Sequence, residues 1–228
     1  MNLKKIQEAF KAYKTYLKSP KRDERLYLWE SQKIFQANWS LEERDLQEMY
    51  DESLQNTTTR RMWNRQAYEP KRMMLLFWEA APDFVTQMFK ELYNEDKPID
   101  IRVSRFAFYC DQLLEDYREN HPGTIENSHY HNDDYQIISL YLALRYPASY
   151  AYYSFSAFTS ALKQFGVVNI PRVNDFERFV KVSRTIFKLM QKEEDLLELH
   201  TKRINPEKHY SDESLMIVTD FLLWLEGK

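Results

Sequence analysis

IDIRVSRFAFYCDQLLEDY, residues 99–117, places an apolar side chain at every third or fourth position. The apolar residues follow intervals of 4-3-4-3-4: Ile99, Val103, Phe106, Cys110, Leu113 and Tyr117. Because an α-helix repeats every 3.6 residues, this spacing puts all of them on one face. His121, Pro122 and Gly123 follow and predict the end of the helix. The stretch therefore predicts a long amphipathic helix with one buried stripe.

The same spacing extends from this stretch toward both ends of the chain. Toward the N-terminus it predicts helices over 3–17 and about 22–38, one after a capping box at Ser40–Glu43, and two that begin at Pro70 and Pro82. Toward the C-terminus it predicts four helices. The first begins at about Asp133, and the second covers 155–165 and ends at Gly166. The third follows a cap formed by Asn174 and Glu177, and the last begins at Ser211. Residues 165–171, FGVVNIP, are the extended candidate and are predicted to be a linker.

These patterns predict an all-α fold. We expect a single compact domain of about ten helices over residues 1–228, and the polar segment 119–128 is the place where it would divide. The chain has three glycines, whereas an average composition of about 7% would give roughly 16. Phosphate-cradling loops and tight hairpins need several glycines, so a P-loop, a dinucleotide fingerprint and a hairpin-rich sheet are disfavoured.

Charge and cysteine content limit the classes of function. The formal net charge is −3, so any phosphate binding would use a local basic patch. Cys110 is the single cysteine, which rules out an intrachain disulfide and fits a reducing compartment. No leader-like apolar segment and no run of about 18 apolar residues occurs, so we expect a cytoplasmic protein without a membrane partner. Neither GxSxG nor HExxH occurs, and we expect no catalytic residue, no cofactor and no enzymatic activity.

The stretch YPASYAYYSFSAF, residues 146–158, is crowded with aromatic rings. Tyr146, Tyr150 and Tyr153 would share one face of a short helix that begins at Pro147, and the phenylalanines belong to the next helical stripe. Tyr152 is the ring that packing explains least. It is therefore the candidate for stacking on a nucleic-acid base.

NTTTRRMWNRQAYEPKR, residues 56–72, holds five basic residues against one acid, Glu69. The preceding residues 41–52 hold six acids and one arginine. Threonines, arginines and nearby rings suit contact with a phosphate backbone. The predicted nucleic-acid-binding residues are Arg60, Arg61, Trp63, Arg65, Lys71 and Arg72. The alternative is a solvated helix whose cations pair with the acidic helix before it.

HYHNDD, residues 129–134, offers a second chemistry. His129, His131 and Asp133 are side chains of the kinds that hold divalent metals. Histidines two residues apart do not share a helix face, so a metal site would need an extended loop. The simpler interpretation makes the histidines loop residues and places the aspartates in the first turn of the next helix, where they complement its dipole. We therefore assign no metal, and these three residues stay the alternative.

Four stretches resemble a known family: RLYLWESQ, SLQNTTTRRMW, IENSHYHNDDYQIISLYLALRYP and VNDFERFVKVSRTIFKLM. They are similar to the N-terminal region of McrB-like AAA+ proteins of modification-dependent restriction systems, from about residue 3 to 225. In that family the N-terminal region recognises DNA, and a following AAA+ module hydrolyses nucleotide and drives a partner nuclease. The P-loop and the Mg²⁺-binding acid of that module do not occur in this sequence.

The resemblance implies a non-catalytic, DNA-contacting module of a restriction or defence ATPase. Its expected partners are DNA and either a nuclease subunit or the AAA+ module of the full-length protein. One alternative is a helical protein–protein interaction module that couples such an ATPase to a partner. The other is a metal-dependent enzyme that uses the His129 and His131 cluster.

Overall fold

The fold is all-α, as the sequence predicts. The computed structural model describes residues 1–55, 60–63, 69–122 and 135–228, without the side chain of Arg61, and within these ranges no residue lies in a strand. The elements in chain order are α1 (Leu3–Leu17), a 3-10 turn (Pro20–Asp23), α2 (Tyr27–Asn38), α3 (Leu46–Ser53), α4 (Arg60–Trp63), α5 (Pro70–Ala80), α6 (Pro82–Leu92), α7 (Ile99–Asn120), α8 (Gln136–Arg145), α9 (Phe155–Gln164), α10 (Phe176–Met190), α11 (Glu194–Thr201) and α12 (Met216–Glu226).

Two helices, α8 and α12, form the centre of the molecule. Every residue from Ile137 to Leu144 is buried, and so is every residue from Met216 to Leu222. A helix that is apolar on all sides must be surrounded by other elements. Helix α2 packs against both, α9 and α10 pack against α12, and α7 packs against α8. The buried apolar side chains form one cluster with members from every described α-helix, on both sides of the segment 119–128.

The aromatic stretch that follows α8 runs between the two central helices. Residues 147–149 form a turn and not the short helix predicted from Pro147. Beyond the turn, the Tyr152 amide donates to Thr219 Oγ1 of α12 (2.9 Å), and the Tyr153 amide donates to Ser139 Oγ of α8 (3.0 Å). Buried backbone groups need such partners. The rings at 150, 152 and 153 are therefore core residues on an extended segment.

Helix ends explain where the sequence-based boundaries were right or wrong. Gly166 adopts φ of +69° and ends α9, where the Val167 amide donates to the Leu162 carbonyl as in a Schellman motif. The capping box at Ser40–Glu43 is wrong, because Asp45 accepts from the Glu48 amide (2.8 Å) and α3 begins at Leu46. The cap of α10 is Asp175, which accepts from the Arg178 amide. The neighbouring Asn174 accepts from the Tyr153 hydroxyl instead.

Two described helices were not predicted. Helix α4 has four residues, and α11 has eight, of which Leu196 is buried. Neither is long enough to show a repeated apolar stripe. Residues 165–171 form an irregular connection, as expected. Among the described residues, no helix combines the length and the apolar character that crossing a membrane requires.

Candidate nucleic-acid interface

The predicted basic residues lie on α4 and at the start of α5. Arg60 and Arg72 are exposed. Arg60 Nη2 is 3.4 Å from Glu69 Oε1, an exposed ion pair that water screens. Both arginines can therefore reach a phosphate group from this surface. Arg65 and the side chain of Arg61 lie outside the described residues.

Lys71 has a structural role, because its side chain is mostly buried and bound to Asp51. Its Nζ is 2.6 Å from Asp51 Oδ1 and 3.0 Å from the Asp51 carbonyl oxygen, and the side chain is 13% exposed. It also reaches the Leu54 carbonyl at the C-terminal end of α3. Positive charge stabilises that end of a helix. Lys71 thus pairs with the acidic helix, as the alternative interpretation of this segment proposed.

The two aromatic candidates are buried. Trp63 is 9% exposed and Tyr152 is 5% exposed. The Tyr152 hydroxyl donates to the Met62 carbonyl of α4 (2.5 Å) and accepts from Gln136 Nε2 of α8. Tyr152 therefore joins α4 to the core, and its assignment as a stacking surface is corrected to a structural one. Trp63 is buried as well, so its ring is not open to a nucleic-acid base.

The metal alternative falls outside the part of the chain that the structure describes, since His129, His131 and Asp133 lie in residues 123–134. Within the described ranges, no group of three or more His, Cys, Asp or Glu side chains is placed to hold a metal ion. Cys110 is fully buried, and burial raises the pKa of its thiol well above the usual value. A thiol in that state is a poor nucleophile at neutral pH.

A second basic surface lies on α1, where no site was predicted. Residues 1–22 contain seven basic residues and one acid, Glu8. Lys4, Lys11 and Lys18 are exposed and lie seven residues apart, so they share one side of the helix at intervals of about 10.5 Å. We call these three residues the lysine row. Their spacing on the side of α1 away from its apolar stripe is the sequence signal that could have identified them.

The lysine row has no ion-pair partner among the described residues. Lys14, on the next turn of the same helix, does: its Nζ lies 3.1 Å from Glu193 Oε2 and 4.0 Å from Asp195 Oδ2 at the start of α11. The acids of α11 therefore border the row on one side. Lys21, exposed in the 3-10 turn, extends the positive surface past the end of α1.

Helix α1 is held in place by its opposite face. Ile6, Phe10, Tyr13 and Leu17 are each at most 1% exposed. The Tyr13 hydroxyl donates to Asp220 Oδ2 of α12 (2.5 Å). Arg25 and Arg203 donate to the same carboxylate, and this charge outweighs the effect of burial and lowers the pKa of Asp220. We call these four residues the Asp220 cluster. The buried face of α1 and the Asp220 cluster therefore fix the position of the helix that carries the lysine row.

A separate apolar surface lies on α6 and α7. Phe84, Ile101 and Phe108 are 39%, 41% and 56% exposed. Tyr109 packs edge-on against Phe84, with ring centroids 5.3 Å apart. Exposed apolar groups that cluster in this way are typical of protein contact sites.

Comparison of this chain with protein-family models, with curated proteins and with solved structures finds no match. The resemblance to the N-terminal region of McrB-like proteins therefore stays a prediction from the sequence.

Proposed function

We propose that this chain is a non-catalytic module that contacts DNA, as part of a restriction or defence ATPase of the McrB-like type. The lysine row is the observation that carries the proposal. It offers three uncommitted cations within about 21 Å of helix, a length that corresponds to about six base pairs of duplex. Because the net charge is −3, such binding would have to use a local basic surface of this kind.

Phosphate contact by three lysines has a defined salt dependence. Each neutralised phosphate releases counterions and contributes about −0.9 to the slope of log K against log salt on a duplex. Three contacts predict a slope near −2.7. Affinity should then fall about fortyfold between 50 and 200 mM salt. Binding of one module should be weak, since tight binding would need several copies on one DNA.

The test compares two charge-matched triple variants by fluorescence anisotropy with a labelled duplex. Lys4→Gln/Lys11→Gln/Lys18→Gln should reduce the slope to near zero. Lys181→Gln/Lys188→Gln/Lys192→Gln removes the same charge from exposed lysines on and just after α10 and should leave the slope unchanged. Equal loss in both variants would show that only the total charge matters. Replacing Arg60 and Arg72 with glutamine measures the part that the originally predicted arginines contribute.

The apolar surface on α6 and α7 supports a second candidate, a protein-interaction module. It would couple the ATPase to a partner through Phe84 and Phe108. The two candidates separate in one experiment. Phe84→Ser/Phe108→Ser should leave the DNA salt slope intact and abolish association with the ATPase module if the second candidate is right.

A further inference from the structure

A cavity of about 270 Å³ lies beside α11 and has His200 in its lining. It is formed by the end of α10, by α11, by the connection 202–215 and by the start of α12. Its apolar wall consists of Phe187, Leu197, Ile204 and Ile217. A space of this size and lining is suited to a small ligand with an apolar body.

His200 supplies a hydrogen-bond donor in the wall of this cavity. Its Nδ1 accepts from Nε and Nη2 of Arg203, each at 3.3 Å. Burial, with Arg203 beside it, lowers the pKa of His200 to about 3, so the ring is neutral at physiological pH. A neutral ring that accepts at Nδ1 carries its hydrogen on Nε2. No described residue accepts from Nε2, which is therefore available to a ligand.

The direction of this donor is fixed before any ligand arrives. The His200 ring packs on Trp29, with centroids 4.7 Å apart. Arg203, whose side chain is fully buried, donates to Asp220 Oδ2 and to the Arg22 carbonyl, each at 2.5 Å. A ligand would therefore not have to order these groups, and such preorganisation favours affinity.

The rim of the cavity determines the charge that a ligand should carry. Asp212 and Glu213 lie on the rim, and Glu213 is oriented by Gln191 Nε2 at 2.9 Å. No lysine or arginine lines the cavity among the described residues. Two carboxylates without a cation disfavour phosphate or carboxylate ligands and favour an ammonium ion.

We propose that this cavity binds a small organic ammonium ion that has an apolar body and a carbonyl group. The apolar body lies against Phe187 and Ile217, the carbonyl accepts from His200 Nε2–H, and the ammonium group faces Asp212 and Glu213. The proposal does not depend on DNA binding.

Three probes that differ in one group test the proposal by calorimetry with the whole chain. L-Phenylalaninamide carries the ring, the amide and an ammonium group that is charged at pH 6.5. 3-Phenylpropanamide lacks the ammonium group, and 3-phenylpropanoate replaces the amide with a negative charge. We expect the cation to bind best, the neutral amide about fivefold more weakly and the anion not to bind.

Two variants assign the contacts. Asp212→Asn/Glu213→Gln changes exposed residues, so the fold should persist. It should remove the preference for L-phenylalaninamide over 3-phenylpropanamide. His200→Phe should weaken both amides by about tenfold, because the buried carbonyl loses its donor. If the three probes bind the unaltered chain equally, or none binds at 10 mM, the proposal is wrong.

Discussion

Asp220→Asn tests whether the buried charge cluster holds the N-terminal helix to the C-terminal one. Asp220 is 0% exposed and accepts hydrogen bonds from Tyr13, Arg25 and Arg203. The Arg203 side chain is also 0% exposed, so its charge has no access to water that could replace the carboxylate. Removing one partner of a buried ion pair leaves an uncompensated buried charge, which costs about 3–5 kcal/mol.

The expected loss can be measured as a shift in the unfolding temperature. For a chain of 150–250 residues, each kcal/mol corresponds to about 2–4 °C. Asp220→Asn should therefore lower the midpoint by about 8–16 °C if the loss is about 4 kcal/mol. Tyr13→Phe removes a hydrogen bond to the same carboxylate but no charge, and it should cost about 2 kcal/mol. Both are measured by calorimetry and by urea unfolding.

Asp212→Asn is the matched control, because it makes the same chemical change at an exposed carboxylate. It should change the stability by less than about 0.5 kcal/mol. A loss below about 1 kcal/mol in Asp220→Asn would refute the reasoning. It would mean that water reaches Arg203 or that the arginine finds another acceptor, and that the cluster does not hold α1 to α12.

Two further predictions concern single side chains. The pKa of His200 lies at about 3 in the folded chain against about 6.5 when unfolded, so the unfolded state binds more protons below pH 6.5. The unfolding free energy should therefore fall by up to about 1.4 kcal/mol per pH unit from pH 6.5 to pH 5. His200→Gln, measured by urea unfolding at each pH, should show a flatter pH dependence. Tyr152→Phe leaves the Met62 carbonyl without its donor and should cost about 1–3 kcal/mol in urea unfolding, whereas the partly exposed Tyr109→Phe should cost under about 0.5 kcal/mol. Equal costs in the two variants would contradict the structural role of the Tyr152 hydroxyl.

The fold could be predicted from the sequence wherever an apolar stripe lasts for several turns. The stripes of α1, α7 and α10 predicted most of the buried residues, because packing of a repeated face outweighs local propensity. Residues at the ends of the stripes are less buried: Leu3 is 53% exposed, and Ile99 and Tyr117 are only partly buried. The N-cap residues were harder to predict than the apolar stripes. Ser40 and Asn174 have good capping side chains, but Asp45 and Asp175 lie at the helix entries that tertiary packing selects.

The candidate site was less predictable, for a physical reason. A run of charges such as 56–72 does not reveal which cations are committed to partners far along the chain, and Lys71 is committed to Asp51. Tyr152 has the same difficulty, since its acceptor at Met62 lies 90 residues away. The lysine row could have been recognised from the sequence, because its seven-residue spacing is local and lies on the side of α1 away from the apolar stripe.

The Asp220 cluster contacts both α1, which carries the lysine row, and Arg203, which orients His200 in the cavity. Asp220→Asn can therefore show which of the two proposed sites depends on the cluster. The lysine row depends on the register of α1, which backbone hydrogen bonds within the helix maintain. The donor of His200 depends on Arg203, which Asp220 holds. At a temperature where Asp220→Asn is still folded, its DNA salt slope should therefore stay near −2.7. Its affinity for L-phenylalaninamide should fall, because Arg203 no longer fixes the ring. If both activities fall together, α1 itself is displaced, and the lysine row depends on the Asp220 cluster as much as the cavity does.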